Sequence, residues 1–328
     1  MRRGKKWVLP SLVFAIIILL LSGWSDQVQS QEKYPTRAID IIVPFSPGGS
    51  TDLATRVVAD YLKKKWGVPV NVINKPGGNT VPACLDLYSA VPDGYTLLAD
   101  NNSSSSMLEI AVKNLPLKIM DRTFIAVTTI TPMMLIVPST SPIKSLKDLE
   151  AEAKKNPENL TWASVGGTAG QDVVTRQFLK AIGVDVLKTR PVMVVGGAQA
   201  VVLTAGGHVV LGSGSPSTAI PAIRGGTVRA LAITSRTRYP DLPNVPTFKE
   251  LGYPTVNYLW WIGISGPPKL PSYIFDIWDK TSQEMLKDPE IISKLGKVGT
   301  IPFYLNARET IEYVMKEAEE MAKLWSLK

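Results

Sequence analysis

Short apolar runs at residues 39–45, 70–73 and 95–99 alternate with segments whose apolar residues recur at helical spacing, as Leu53, Val57, Val58, Tyr61 and Leu62 do. This alternation constrains the fold more than any other feature. A run that is apolar on consecutive positions suits a strand buried on both faces, the condition of a parallel sheet covered by helices on each side. The chain is therefore expected to be an α/β protein of mostly parallel sheets flanked by helices. The rhythm restarts downstream. Residues 134–137 and 160–164 read as strands, and Val173, Val174, Gln177, Phe178, Ala181 and Ile182 mark one helical face closed by Gly183. Strands at 192–195 and 209–211 bracket a short helix near 198–205, and Ser215-Pro216 opens another with a capping hydroxyl and a first-turn proline. Two helical segments end the chain, one after Pro271 and one from Ala307, where Ile311, Val314, Met315, Ala318, Met321 and Trp325 repeat at helical spacing. Nothing after them can build another lobe, so they are expected to return to the first sheet. Residues 31–131 and 258–328 are accordingly assigned to one lobe and 132–257 to the other, with crossings near Thr131 and Tyr258.

The chain's beginning decides its compartment. Arg2, Arg3, Lys5 and Lys6 precede an apolar stretch over 7–21, and small or polar residues follow up to Ser30, the layout of a secretory signal. The apolar stretch is shorter than the ~20 residues a spanning helix needs. Cleavage over residues 1–30 and a periplasmic location are expected, with a retained membrane anchor as the rival. Trp24 stands where a lipoprotein box would need its cysteine, which argues against lipidation. Cys84 has no partner in the chain, so stability must come from the core and not from disulfides. The formal charge of +8 falls to +5 without the first 30 residues, as 36 Lys+Arg less four leaves 32 against 28 Asp+Glu less one. With no dense basic tract, that balance favours small anions over nucleic acid.

The stretch VPFSPGGSTDLATR, from Val43, joins a strand to a helix through a hydroxyl-rich glycine loop. Gly48 and Gly49 let a ligand reach the backbone, Ser46, Ser50 and Thr51 add hydroxyls, and the helix beginning near Asp52 presents free N–H groups. This is the construction of an anion cradle. A tight turn with a capping hydroxyl is the alternative for an isolated loop. ASVGGTAGQD, from Ala163 to Asp172, repeats the design, and neither loop holds Arg or Lys. Asp52 would repel an anion, so it is expected to cap the helix or to accept a bond from a ligand hydroxyl or amine. Enzyme readings fare worse. His208 and Cys84 are too few for a zinc site, no HExxH, GxSxG or CxxC occurs, and Pro47-Gly48-Gly49-Ser50 lacks the GxGxxG spacing of a dinucleotide loop. Near the crossings, Met133, Met134, Trp260 and Trp261 suit either a cleft wall or the core, and Trp261 is taken as the ligand-facing candidate.

In order along the chain, YPTRAIDIIVPFSPGGSTD, VPDGYTLL, VRALAITS and LPNVPTFKELGYP resemble one family, the extracytoplasmic solute receptors of tripartite tricarboxylate transporters, or Bug proteins. The resemblance runs from Tyr34 to the C-terminus. It implies a two-lobed, type II-like periplasmic binding protein that closes on a carboxylate held by both glycine loops through amides, hydroxyls and bridging waters. Carried over by position, the first cradle is Phe45, Ser46, Pro47, Gly48, Gly49, Ser50, Thr51 and Asp52. The second is Ser164, Val165, Gly166, Gly167, Thr168, Ala169, Gly170 and Gln171. Where many members have Tyr-Lys-Gly-Gly, this chain has Val194-Val195-Gly196-Gly197. It also has Val210 in place of a common acidic residue, and Leu115-Pro116-Leu117-Lys118 in place of Leu-Pro-Tyr-Asp. These departures imply a more apolar cleft and admit a larger or aromatic carboxylate. The expectation is a monomeric receptor, not an enzyme, with no cofactor or metal. It would deliver a di-, tri- or aromatic carboxylate to membrane permease subunits and bind no nucleic acid. A receptor for a sensor kinase and an exported α/β enzyme are the alternatives.

Overall fold

The computed structural model describes residues 33–166 and 169–325; the segment read as a secretory signal, and Gly167 and Thr168 of the second loop, lie outside the described residues. Arg37–Lys328 forms one compact unit. Its first part runs β1 (Ile39–Val43), α1 (Ser50–Trp66), β2 (Val70–Asn74), α2 (Val81–Ser89), β3 (Thr96–Asn101), α3 (Leu108–Ala111), β4 (Thr123–Pro132) and β5 (Met134–Pro138). Then come α4 (Leu146–Lys155), β6 (Thr161–Ser164), α5 (Gly170–Ala181), β7 (Arg190–Met193), α6 (Gly197–Ala205), β8 (Gly212–Gly214), α7 (Pro216–Arg224) and β9 (Val228–Ile233). The chain ends with β10 (Leu259–Gly266), α8 (Ser272–Met285), α9 (Pro289–Lys297), β11 (Ile301–Asn306) and α10 (Ala307–Trp325).

Helix α1 shows how the sequence sets an element. Ala54, Val58, Ala59 and Leu62 form its buried stripe, Asp52 sits in the first turn, and Lys63, Lys64 and Lys65 occupy the last. Those charges complement the helix dipole, and Gly67 in the left-handed conformation ends the helix by donating its N–H to the Lys63 carbonyl at 3.0 Å.

The first sheet has the order β11-β4-β10-β3-β1-β2 and the second β8-β5-β9. A parallel pair, β6 with β7, connects to the end of β8 through a bridge from Trp162 to Leu211. The sheets are mixed and not mostly parallel as expected. β1 pairs parallel with β2 and β3, whereas β10 is antiparallel to β3 and β4, β11 to β4, and β5 to both its neighbours. An apolar run records burial on both faces but not strand direction, which the route of the chain decides. Here β4 and β5 lie in different sheets with only Met133 between them, and β10 returns from the second sheet to enter the first between β3 and β4. Its tight fit needs Gly263, where an added Cβ would fall 2.4 Å from the Ala126 carbonyl oxygen.

α10 packs on the first sheet through Thr310, Val314, Glu317, Met321 and Leu324. Of the stripe expected from apolar spacing, Met315 is exposed instead. Glu317 is buried because partners await it: Asn102 Nδ2 donates to Oε1 at 2.6 Å, Trp261 Nε1 to Oε2 at 3.0 Å, and Ser106 Oγ also donates. Burial nevertheless pushes the Glu317 carboxyl up from 4.5 to about 7, against those donors and with Glu320 adding to the rise. Between these two values the folded protein holds a proton that the unfolded chain has released, so stability falls as pH rises through this window. The expected loss is about 3 kcal/mol between pH 4.5 and 7, with no further change from this group above that. Urea melts of wild type and Glu317→Gln across pH 4.5–8 check it. A stability difference between the two that stays constant with pH would refute the assignment.

Candidate functional site

The first glycine loop leaves β1 and enters α1. Gly48 has φ +84°, a conformation that ordinary side chains rarely adopt, while the N-cap Gly49 is extended at φ −78° and ψ 167°. The Gly48 N–H donates to Asp52 Oδ2 at 2.9 Å. Asp52 is 1% exposed and also accepts from Asn74 Nδ2 at 2.9 Å and from the Arg56 guanidinium at 2.9 Å. Asn74 bonds the Phe45 carbonyl as well, so one cluster holds both ends of the loop. Burial raises the Asp52 carboxyl, but donors from Arg56, Gly48 and Asn74 outweigh it and hold the group below the usual range. Asp52 thus braces the loop from behind.

The same device recurs at three more helices. Asp172, in the first turn of α5, accepts the Val165 N–H at 2.9 Å and the Ser164 hydroxyl, with burial pushing its carboxyl up. In the first turn of α6, Gln199 Oε1 accepts the Val195 N–H at 2.8 Å. Thr218 Oγ1 at the start of α7 accepts the Ser215 N–H at 3.1 Å. Each third helical residue reaches back to a loop amide, as in a capping box. Asp172 and Thr218 spend their own N–H groups on the Ala169 and Ser215 carbonyls at 2.9 and 3.1 Å and Pro216 has none, which leaves the other first-turn N–H groups to face a ligand.

These four N-termini form a ring. Ser50 Oγ joins α1 to α7 through Ser215 Oγ at 2.9 Å and Ser217 Oγ at 3.1 Å. From α7 the ring passes to α6 and α5 at Gly197, where an added Cβ would lie 3.9 Å from Thr218 Cγ2 and 2.4 Å from Gln171 Nε2. It closes through Trp260, which borders Gly170 of α5 and donates its Nε1 to Thr51 Oγ1 of α1 at 3.1 Å. Inside lies a cavity of about 340 Å³.

Of the residues singled out in the sequence, Phe45, Ser46, Pro47, Gly48, Gly49, Ser50, Thr51, Val165, Ala169 and Gln171 line this cavity. Asp52 and Ser164 stand behind it as bracing groups, and Gly166 and Gly170 shape the second loop without lining it. Trp261 does not line it: it is 1% exposed, bonded to Glu317 and packed in the core of the first sheet. Its neighbour Trp260 points to the cavity, because successive residues of a strand face opposite ways. Met133, which suits either a cleft wall or the core from its sequence position, lines the cavity, as do Val195, Gly196, Gly197, Ala198, Ser215 and Thr218, which are not among the expected site residues. Gly196-Gly197 and Ser215-Pro216 were visible signals, a glycine pair and a capped proline, each opening a helix.

Among the described residues the lining contains no Lys, Arg, His, Asp or Glu. His208 is exposed in the turn after α6 and is not part of it. Each helix N-terminus carries about half a positive charge, and four directed at one cavity create a field for an anion without any cation.

Two α/β sheet systems whose helix N-termini enclose one cavity define a periplasmic binding protein fold. Residues 54–326 match the model of the tripartite tricarboxylate transporter family receptor, and the chain belongs to that family, one of solute-binding receptors and not of enzymes. It is 30% identical over 326 residues to a Cupriavidus necator protein, the UPF0065 protein in gbd 5'region, covering 94% of each. Among solved structures it is similar to the periplasmic binding protein BugD, at 27% identity and TM-score 0.79, covering 89% of this chain and 98% of that one. It is also similar to Rpa4515 of R. palustris, solved with adipate, at 25% identity and TM-score 0.82, with the same coverage. No helix among the described residues is long and apolar enough to cross a membrane.

Proposed function

We propose that this chain is exported through a cleaved signal over residues 1–30, captures a small carboxylate in the periplasm, and delivers it to the membrane subunits of a tripartite tricarboxylate-type transporter. The observation that carries this reading is the ring of four helix N-termini around a cavity whose described lining has no charged residue. A carboxylate there would accept backbone N–H and hydroxyl bonds, each worth roughly 1.5–3 kcal/mol when one partner is charged. Three or four such bonds support binding near −8 kcal/mol, about micromolar. The adipate held by Rpa4515 supports the same ligand class.

Capture would come with closure of two lobes, residues 31–131 with 258–328 against 132–257. The Ser50 contacts with Ser215 and Ser217 would be made in the closed form. Mass spectrometry of ligand released from gently purified protein identifies the solute, and that carboxylate should then titrate at one site per chain. Small-angle scattering should show compaction on saturation. A protein that binds no carboxylate, or that turns one over, contradicts the proposal.

A further inference from the structure

We propose that the wall of the cavity built by the residues after β7 selects an apolar tail, making the ligand a monocarboxylate with an aliphatic or aromatic body and not a di- or tricarboxylate. This rests on the carboxylate reading above and narrows it. Val195 lines the cavity yet is 92% exposed, and Met193, at the end of β7, is 66% exposed. The Met193 methyl lies 3.6 Å from where Gly166 would carry a Cβ, which puts it against the second glycine loop, and Val165 of that loop also lines the cavity. Large apolar side chains left open at the rim of a cavity gain by being covered, and an apolar ligand tail covers them.

The other wall is apolar too. Phe45 and Trp260 meet edge to face at 5.5 Å, and the one N–H of the Trp260 ring is taken by Thr51, so both offer carbon surface. Ser50 and Ser215 bond each other, and Thr218 accepts the Ser215 amide and donates to the Ser215 carbonyl, so these lining hydroxyls are engaged. The donors that remain among the described lining are the Ser46 and Thr51 hydroxyls, the Gln171 side-chain amide and helix N–H groups, all on the loops and first helical turns, which suit one carboxylate end. A second carboxylate lying along Val165 and Val195 would lose hydration with no cation in the described lining to replace it.

Matched acids test this directly, with calorimetric titration of hexanoate against adipate and of benzoate against benzene-1,4-dicarboxylate. In at least one pair the monoacid should bind about tenfold more tightly than its diacid, a difference of about 1.4 kcal/mol. Val195→Lys supplies a cation at the rim and should shift that ratio about tenfold toward the diacid, whereas Val195→Ile should preserve it. Because Val195 is exposed, both variants should melt as wild type does, and the melts are run to confirm it. Diacids binding as tightly as monoacids, or more so, in both pairs would overturn the inference while leaving the carboxylate reading intact. Absence of binding by all four acids would also overturn the inference, while the carboxylate reading then stands or falls on the ligand released from the purified protein.

Discussion

Gly49→Val is expected to lower carboxylate affinity by more than about a hundredfold while leaving the fold in place. The residue is extended, so a side chain is conformationally allowed, and an added Cβ meets only the Ser46 carbonyl oxygen, at an ordinary 3.8 Å. The valine methyls therefore enter the cavity and cover the first N–H groups of α1. Losing two charge-assisted bonds costs roughly 3–6 kcal/mol, which sets the fold-change. A valine N-cap is itself a poor one, so a stability loss of ~1 kcal/mol accompanies it. Calorimetric titration beside denaturant melts separates the two effects. Undiminished affinity with a lowered melting midpoint would reduce the loop to a turn that caps a helix.

The largest stability effect is expected at Arg122→Met. Arg122 and Asp100 have side chains 0% and 1% exposed, with Nη1 at 2.9 Å from Oδ2. Arg122 also donates to the Ser104 carbonyl at 2.9 Å, and Asp100 accepts from the hydroxyls of Ser104, Ser105 and Ser265. This cluster ties the serine-rich turn after β3 to β10. Removing the guanidinium leaves a carboxylate buried without its counter-charge, a loss of about 3–5 kcal/mol. Adding Asp100→Asn to the same chain removes that stranded charge and should recover part of the loss. Urea midpoints of the single and double variants decide it. A single variant within ~1 kcal/mol of wild type, or a double variant worse than the single, would show that the pair does not govern stability as argued.

The β1-loop-α1 and β6-loop-α5 units were legible in the sequence because their signals are local: an apolar run, glycines that free the backbone, and a helical apolar stripe. β4, β10 and β11 gave no such signal. β10 is buried along nearly its whole length, yet its placement between β3 and β4 comes from pairing with strands more than a hundred residues away. The strands expected at 192–195 and 209–211 lie at 190–193 and 212–214, since strand ends follow the partner and not the apolar run.

What the residue order determined by itself was chemistry: an α/β chain with a signal-like start, two cation-free glycine loops, and helix N-termini fit to hold an anion. Tertiary structure decided which groups share the cavity. The register of β10 against β4, with its bulge after Ile262, turned Trp260 inward to the cavity and Trp261 to the core, a one-residue choice no spacing rule reveals. The meeting of Ser50 with Ser215, 165 positions apart, brought the third and fourth helix N-termini beside the first two. Helical or strand periodicity is a property of neighbours in the chain, whereas a site between two sheets is made by residues that become neighbours only when the chain has crossed and returned.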